Sequence, residues 1–265
     1  MKRYCIKPGA RVDLDDYAPD DTSLCPGGKK EAVALSDRME KRLRDLQQLL
    51  FAEHQHKILI VLQGMDTSGK DGTVRHVMAG FNPAGVSVTS FKRPTDEELA
   101  HDYLWRVHKR TPGKGEIAVF NRSHYEDVIV VRVHGMVPPE VWSKRYTQIN
   151  DFERMLVEND TVVLKFFLHI SKGEQRKRLQ DRIDDPTKRW KFQHGDIEER
   201  KFWSEYRKAY EDALEKTSTD WAPWWVIPAD AKWYRNHLVA SIVIDTLDRL
   251  DMKYPEPNLA KEVVD

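Results

Sequence analysis

Residues 57–73 read Lys57-Ile58-Leu59-Ile60-Val61-Leu62-Gln63-Gly64-Met65-Asp66-Thr67-Ser68-Gly69-Lys70-Asp71-Gly72-Thr73, and this stretch decides the fold. Residues 57–62 are a short apolar run of strand length. Residues 64–70 then fit G-x-x-x-x-G-K, and helical signals resume at Thr73. A glycine-containing loop between a buried strand and a helix is the context that separates a phosphate-binding loop from a chance match. Glycines let backbone N–H groups converge on phosphate oxygens, and the helix start adds positive potential. Lys70 adds a mobile cation for the phosphoryl group in transit. Gly64, Thr67, Ser68, Gly69, Asp71, Gly72 and Thr73 are therefore candidate phosphate or nucleotide contacts.

Two features depart from the common pattern. The position after Lys70, where Ser or Thr usually offers magnesium a hydroxyl, holds Asp71, with Thr73 two residues on. Asp66 lies inside the loop, where a negative charge among phosphates is costly unless a cation shares the site. Asp66 thus reads as a magnesium ligand or as a group that positions the acceptor. P-loop enzymes also hold magnesium through an Asp near the end of a neighbouring strand. The third strand here, residues 116–120, is followed by Asn121, so that acid is missing. The nearest acids are Glu126 and Asp127, in Asn121-Arg122-Ser123-His124-Tyr125-Glu126-Asp127, and either could reach back through a turn of helix. Arg122 suits bidentate contact with phosphate, whereas His124 and Tyr125 read as packing residues. The candidate catalytic groups are Asp66, Lys70, Arg122 and Glu126, and the candidate metal ligands are Asp66, Glu126 and Asp127.

Outward from the loop, strands and helices alternate. Leu35, Met39, Leu43, Leu46 and Leu50 recur at three and four residues within 29–54, the period of a helix with one buried face. Further strands are expected at 86–91, 116–120, 161–168 and 225–227, and helices at 95–109, 138–158, 171–182, 196–216 and 232–250. This alternation predicts an α/β fold with a parallel five-stranded sheet and helices on both faces. Residues 124–133 are ambiguous: their β-branched run favours a strand, yet they follow the third strand too closely for another parallel one. Residues 1–27, rich in Pro, Gly and Asp, read as an extended arm. The whole chain, 1–265, reads as one domain without internal repeats.

Residues 176–191, RKRLQDRIDDPTKRWK, are strongly basic. Arg178 and Arg182 fall at i and i+4 on one helix face, and Pro186 ends the helix. Lys188, Arg189 and Lys191 continue the positive charge. A segment of this kind at about 176–195 suits a lid closing over a polyanion. Lys92 and Arg93, after the second strand, add charge at the sheet edge where open α/β sheets bind ligands. Trp221, Trp224, Trp225, Trp233 and Tyr234 read as core or interface, and Asp230 as the cap of the last helix.

Bulk composition narrows the class. Of 265 residues, 40% are hydrophobic and 32% charged, with 43 Lys+Arg against 43 Asp+Glu. A neutral whole does not prevent a basic cleft, because charge can be sorted by region. The two cysteines, Cys5 and Cys25, argue against a disulfide framework and for a reducing cytoplasm. No signal-peptide core opens the sequence, and no run of about 18 apolar residues is present.

Beyond the loop, the chain resembles the polyphosphate kinase 2 family from about Asp21 to Met252. The resemblance rests on GMDTSGKDGT at 64–73, FNPAGV at 81–86, FKRPT at 91–95, FNRSHYEDV at 120–128, KFFLHIS at 165–171, RIDDPTKRWKF at 182–192 and YRN at 234–236. It implies a thymidylate-kinase-like, three-layer P-loop kinase fold with a helical lid. It also implies reversible phosphoryl transfer between inorganic polyphosphate and nucleotides, with Mg2+ or Mn2+, in a homo-oligomer. By motif position, Asp66 and Lys70 look like the catalytic pair, and Arg122, Arg178 and Arg182 look like phosphate contacts. Polyphosphate would run along Lys92, Arg93, Arg178, Arg182 and Lys188. Members restricted to nucleoside diphosphates usually carry FDRS where this chain has Phe120-Asn121-Arg122-Ser123. The present version looks like the subgroup that accepts both AMP and ADP, with Glu126 similar to the compensating acid and Asn121 at the nucleotide site. Adenine nucleotides are the expected acceptors, guanine nucleotides the second candidates; neither nucleic acid nor membrane is an expected partner. Two rivals share these features: a nucleoside-monophosphate kinase using ATP, and a non-enzymatic binding module for polyanions or nucleic acid.

Overall fold

A computed structural model describes residues 1–256; residues 257–265 of the expected domain lie outside the described part. The chain order is α1 (Gly28–Glu53), β1 (Lys57–Gln63), α2 (Lys70–Val77), β2 (Val86–Ser90), α3 (Asp96–Leu99), α4 (Trp105–His108), β3 (Ile117–Asn121) and α5 (Glu126–Val133). It continues with α6 (Pro139–Glu158), β4 (Thr161–His169), α7 (Lys172–Asp184), α8 (His194–Glu199), α9 (Trp203–Thr217), β5 (Trp224–Pro228) and α10 (Lys232–Asp248). All strand pairs are parallel, in the order β2-β3-β1-β4-β5. Residues 58–62 are fully buried, as a parallel strand covered by helices on both faces must be.

The helix boundaries follow local chemistry. Helix α1 buries Leu43, Leu46 and Leu50 and stops at His54, whose left-handed backbone lets its N–H reach the Leu50 carbonyl. Pro139 occupies the first turn of α6, where its missing N–H costs nothing. The Ser171 hydroxyl accepts the Glu174 N–H and starts α7.

One ambiguity is resolved and three expectations need correction. Residues 124–133, left open between strand and other structure, carry helix α5 from Glu126. Strand β3 already has β1 and β2 on its two edges, and the backbone leaves the sheet at Arg122 with φ 62°. The expected helix at 95–109 breaks into α3 and α4, because the Asp102 side chain accepts the Leu104 N–H and draws the backbone into a turn. The expected helix at 196–216 is likewise interrupted by a 3-10 turn at Arg200–Phe202. Asp230 does not cap α10, whose N-cap is Ala231; its carboxylate accepts the Ser171 N–H instead, tying the end of β5 to the start of α7.

The N-terminal arm is packed rather than loose. Tyr4, Ile6, Val12 and Leu14 are buried. Ile6 N–H donates to the Trp224 carbonyl at 2.8 Å, and Cys5 forms an antiparallel bridge with Trp225, so the arm covers the β5 edge. The hydroxyls of Tyr4 and Tyr234 meet at 2.8 Å, and the Pro19 carbonyl accepts the Asp230 N–H at 3.1 Å. Of the C-terminal aromatics, Trp224 and Tyr234 are core, whereas Trp221 is 37% exposed. Among the described residues no helix is long and apolar enough to cross a membrane.

Candidate active site

The strands deliver their C-terminal ends to one side of the sheet, and the loop after β1 lies at the middle of that edge. Gly64 and Gly69 hold φ of 150° and 100°, conformations that side chains rarely tolerate. A Cβ on Gly64 would strike the Leu168 carbonyl, and one on Gly69 would strike the Arg235 guanidinium. Thr67, also at positive φ (64°), adds local strain. Within this loop the Thr67 and Ser68 hydroxyls are buried and have no hydrogen-bond partner among the described residues. Buried hydroxyls without partners are uncommon, and a phosphate oxygen is a partner they lack.

Lys70 opens α2. Its ammonium donates to the Gly64 carbonyl at 2.7 Å and to the Met65 carbonyl at 3.2 Å. Burial, helped by the Arg122 charge, lowers its pKa to about 8 against the opposing pull of Asp66, Glu126 and Asp71. These four groups therefore share one electrostatic neighbourhood. The Arg122 guanidinium pairs with Asp66 Oδ1 at 2.9 Å, and the Asn121 carboxamide donates to Asp71 at 2.6 Å. Glu126 is half-buried beside them. Burial raises its pKa, and Arg122, Lys70 and a hydrogen bond from Gln63 work against that rise.

A cleft of about 1620 Å³ runs over this centre. The loop residues Asp66, Thr67, Gly69, Lys70, Asp71 and Gly72 line it, together with Lys92, Arg93, Asn121, Arg122, Arg178, Arg182 and Lys188. Thr73 instead returns its hydroxyl to the Gly69 carbonyl within its own helix.

Three expected site residues sit differently from the sequence reading. Asp127 does not join Asp66 and Glu126: the next position along a helix turns away, and its carboxylate takes Arg145 of α6 at 3.2 Å. Among the described residues, no three acidic, histidine or cysteine side chains form a group able to hold a metal. Arg178 is not free to swing with a lid. It is 6% exposed and donates to the Thr67, Ser68, Ala229 and Asp230 carbonyls and to Glu174, which makes it a brace under the loop. Arg182 is held by Asp196 at 3.1 Å and by the Lys191 carbonyl at 3.3 Å, so it anchors the basic segment to α8. Lys188, paired with Asp185 at 2.6 Å, remains on the surface of that segment.

Sequence reasoning gave no role to Arg235, although the structure places it at the loop. It is 2% exposed and donates to the Ser68 carbonyl at 3.2 Å. Burial and neighbouring Arg178 bring its pKa down to about 10. No spacing rule links residue 235 to residue 68; only the quoted triplet at 234–236 marked the region.

The Lys70 pKa carries a testable sign. In the free protein Lys70 is charged below about pH 8 and loses its charge above it. Turnover that depends on this cation should therefore show kcat/KM falling as pH rises through roughly 8, the profile that reports the free enzyme. Bound phosphates favour the ammonium form, so the fall in kcat should come at higher pH. A kcat/KM profile flat to pH 9.5 would contradict this.

Residues 28–255 match the family described as Polyphosphate kinase 2 (PPK2). The chain is 56% identical over 264 residues to the AMP/ADP-polyphosphate phosphotransferase of Meiothermus ruber, covering 100% of this chain and 99% of that protein. It is 43% identical to the ADP-polyphosphate phosphotransferase of Rhodopseudomonas palustris, covering 98% and 94%. The crystal structure of Polyphosphate Kinase 2 from Arthrobacter aurescens TC1 superposes with a TM-score of 0.94 at 44% identity, covering 97% of this chain and 92% of that one.

Proposed function

Because the chain belongs to the polyphosphate kinase 2 family, we propose that it transfers phosphoryl groups reversibly between inorganic polyphosphate and nucleotides, with both AMP and ADP as acceptors. The observation that carries this reading is the electrostatic centre of Lys70, Arg122 and Asp66 in a cation-lined cleft, with Glu126 half-buried beside them. A nucleotide phosphate oxygen is already ionised at neutral pH, so the chemistry needs little general-base help. Positioning and charge stabilisation supply most of the rate in such transfers. Lys70 and Arg122 neutralise the oxygens of the phosphoryl group in flight. The loop N–H groups and the Thr67 and Ser68 hydroxyls hold a neighbouring phosphate. Lys92, Arg93 and Lys188 line the route of a long polyanion.

The donor set fits magnesium. Asp66 and Glu126 are hard oxygen ligands, and a site with few carboxylates suits an ion that keeps waters and takes substrate phosphates as ligands. Magnesium bound there would neutralise phosphate charge during transfer. Manganese accepts the same donors. The two unpaired thiols, Cys5 and Cys25, agree with a reducing, cytoplasmic setting.

The direct test mixes the protein with AMP, magnesium and long-chain polyphosphate, with ATP omitted, and follows nucleotides by chromatography. ADP and then ATP are expected. ATP formed from ADP but nothing from AMP would remove the dual-acceptor reading. Silence with both, and activity once ATP is supplied, would make the protein an ordinary nucleotide kinase.

A further inference from the structure

Four polar side chains without a part in the transfer chemistry are sealed behind the turn at residues 121–126. Lys165 stands mid-way along β4, Glu153 on α6, and His124 and Tyr125 in the turn itself; each is 0% exposed. Lys165 Nζ donates to Glu153 Oε2 at 2.6 Å, to the Tyr125 hydroxyl at 3.0 Å and to the Thr217 carbonyl at 2.6 Å. The Tyr125 hydroxyl donates to Glu153 Oε1 at 2.8 Å, and His124 Nε2 lies 3.2 Å from the same oxygen. Burial would push the Glu153 carboxyl up, but Lys165 and His124 outweigh it and hold the group below its ordinary value. Burial draws the Lys165 ammonium down in turn, with Glu153 opposing, and the two groups meet directly at 2.6 Å.

Stability alone gives no reason to keep such a pair, because well-packed apolar residues of similar volume are usually as stable or more so. Its location does. Two consecutive residues of the turn, His124 and Tyr125, are anchored to one carboxylate oxygen, and the next residue is Glu126. On the other side, Ser123 Oγ accepts from Gln63 at 3.1 Å, and Gln63 immediately precedes the phosphate loop. The turn also carries Arg122 at φ 62°, a conformation that persists only when its surroundings enforce it. We propose that Glu153 and Lys165 are positioning residues: buried as a pair, they fix the turn, and with it the Arg122 guanidinium and the Glu126 carboxylate, relative to Lys70. The inference rests on the roles given above to Arg122 and Glu126.

The test removes both charges together in a Glu153→Leu, Lys165→Met double variant, and reads melting temperature, kcat and KM separately. The double variant should stay folded but melt below the parent, because the Tyr125 hydroxyl and the Thr217 carbonyl lose their partners. Its kcat should fall about 10- to 100-fold, the scale of a small misplacement of reacting groups, while KM for AMP and for polyphosphate stays within about threefold. A kcat within about twofold of the parent, or a loss carried by KM alone, overturns the proposal. If the double variant does not fold, Tyr125→Phe asks the same question, because it keeps the ring and removes the hydroxyl between the charges. It should lower kcat about tenfold at unchanged KM, and a smaller effect than about twofold is again contrary. Glu126→Gln, assayed alongside, separates the two levels. Full activity in Glu126→Gln removes the role given to Glu126. An inactive Glu126→Gln beside a full-speed double variant removes only the positioning role.

Discussion

Lys70→Ala should lower kcat by about 10³-fold, on the scale of losing a preorganised charge at a developing anion, and should leave the chain folded. The two halves of this expectation have one cause. Burial holds the Lys70 pKa at about 8 rather than 10.5, so keeping the ammonium charged inside the loop costs roughly 3 kcal/mol, at about 1.4 kcal/mol per pKa step. That cost is fully present below pH 8 and fades as pH rises toward 10.5. Alanine removes it and gives up the bonds to the Gly64 and Met65 carbonyls, so the losses and gains in folding free energy largely offset. Transfer has no such compensation, because the other cations at the start of α2, Arg178 and Arg235, are held on loop carbonyls. Circular dichroism and melting should match the parent, while single-turnover rates with saturating polyphosphate collapse. Retention of a tenth or more of kcat would end the assignment of Lys70 as the transfer cation.

Arg178→Met should produce a different pattern, a loss of both stability and turnover. Its guanidinium satisfies four backbone carbonyls, two in the phosphate loop and two in the turn after β5. Unsatisfied buried groups cost about 1–3 kcal/mol each, and partial rehydration brings the expected total to roughly 3 kcal/mol. For a chain of this size that lowers Tm by about 6–12 °C. Catalysis should fall about 10²-fold because the loop carbonyls drift, with KM for polyphosphate changing only a few-fold. Arg178→Lys should not rescue either property, since a single ammonium cannot span both segments. A steep rise in polyphosphate KM at unchanged Tm would instead return Arg178 to the role that its position in a basic helix suggested.

The Arg178 result shows where sequence reading stops. The loop, the strand before it and the basic segment after β4 were legible because glycine spacing, apolar runs and charge runs are local signals. Asp66, Lys70 and Arg122, which the structure brings together, were proposed from the same local signals. What a buried side chain does with its donors is not local. Arg178 and Arg182 share a helix face and a charge, yet one ends beneath the loop and the other against Asp196. Asp127 lies one helix step from Glu126 and faces Arg145 instead, and residues 124–133, ambiguous by their β-branched composition, became helical because occupancy of both edges of β3 overrode propensity. The pairing of Glu153 with Lys165 had no sequence signal, and Arg235 only the triplet at 234–236, since each depends on elements that meet only after the sheet has formed.

The arm laid across β5 has a consequence for biosynthesis. Tyr4 and its hydroxyl partner Tyr234 are 230 residues apart in sequence. At translation speeds of about 5–20 residues per second, residues 4–14 wait roughly 10–50 s after emerging before that partner exists. During that interval the apolar side chains of Tyr4, Ile6, Val12 and Leu14 have no surface to cover. The β5 edge they later cap is made long after them, so this segment settles only once its partner has been delivered. Chaperone demand should therefore track the speed at which α10 is delivered, more than the stability of the finished sheet.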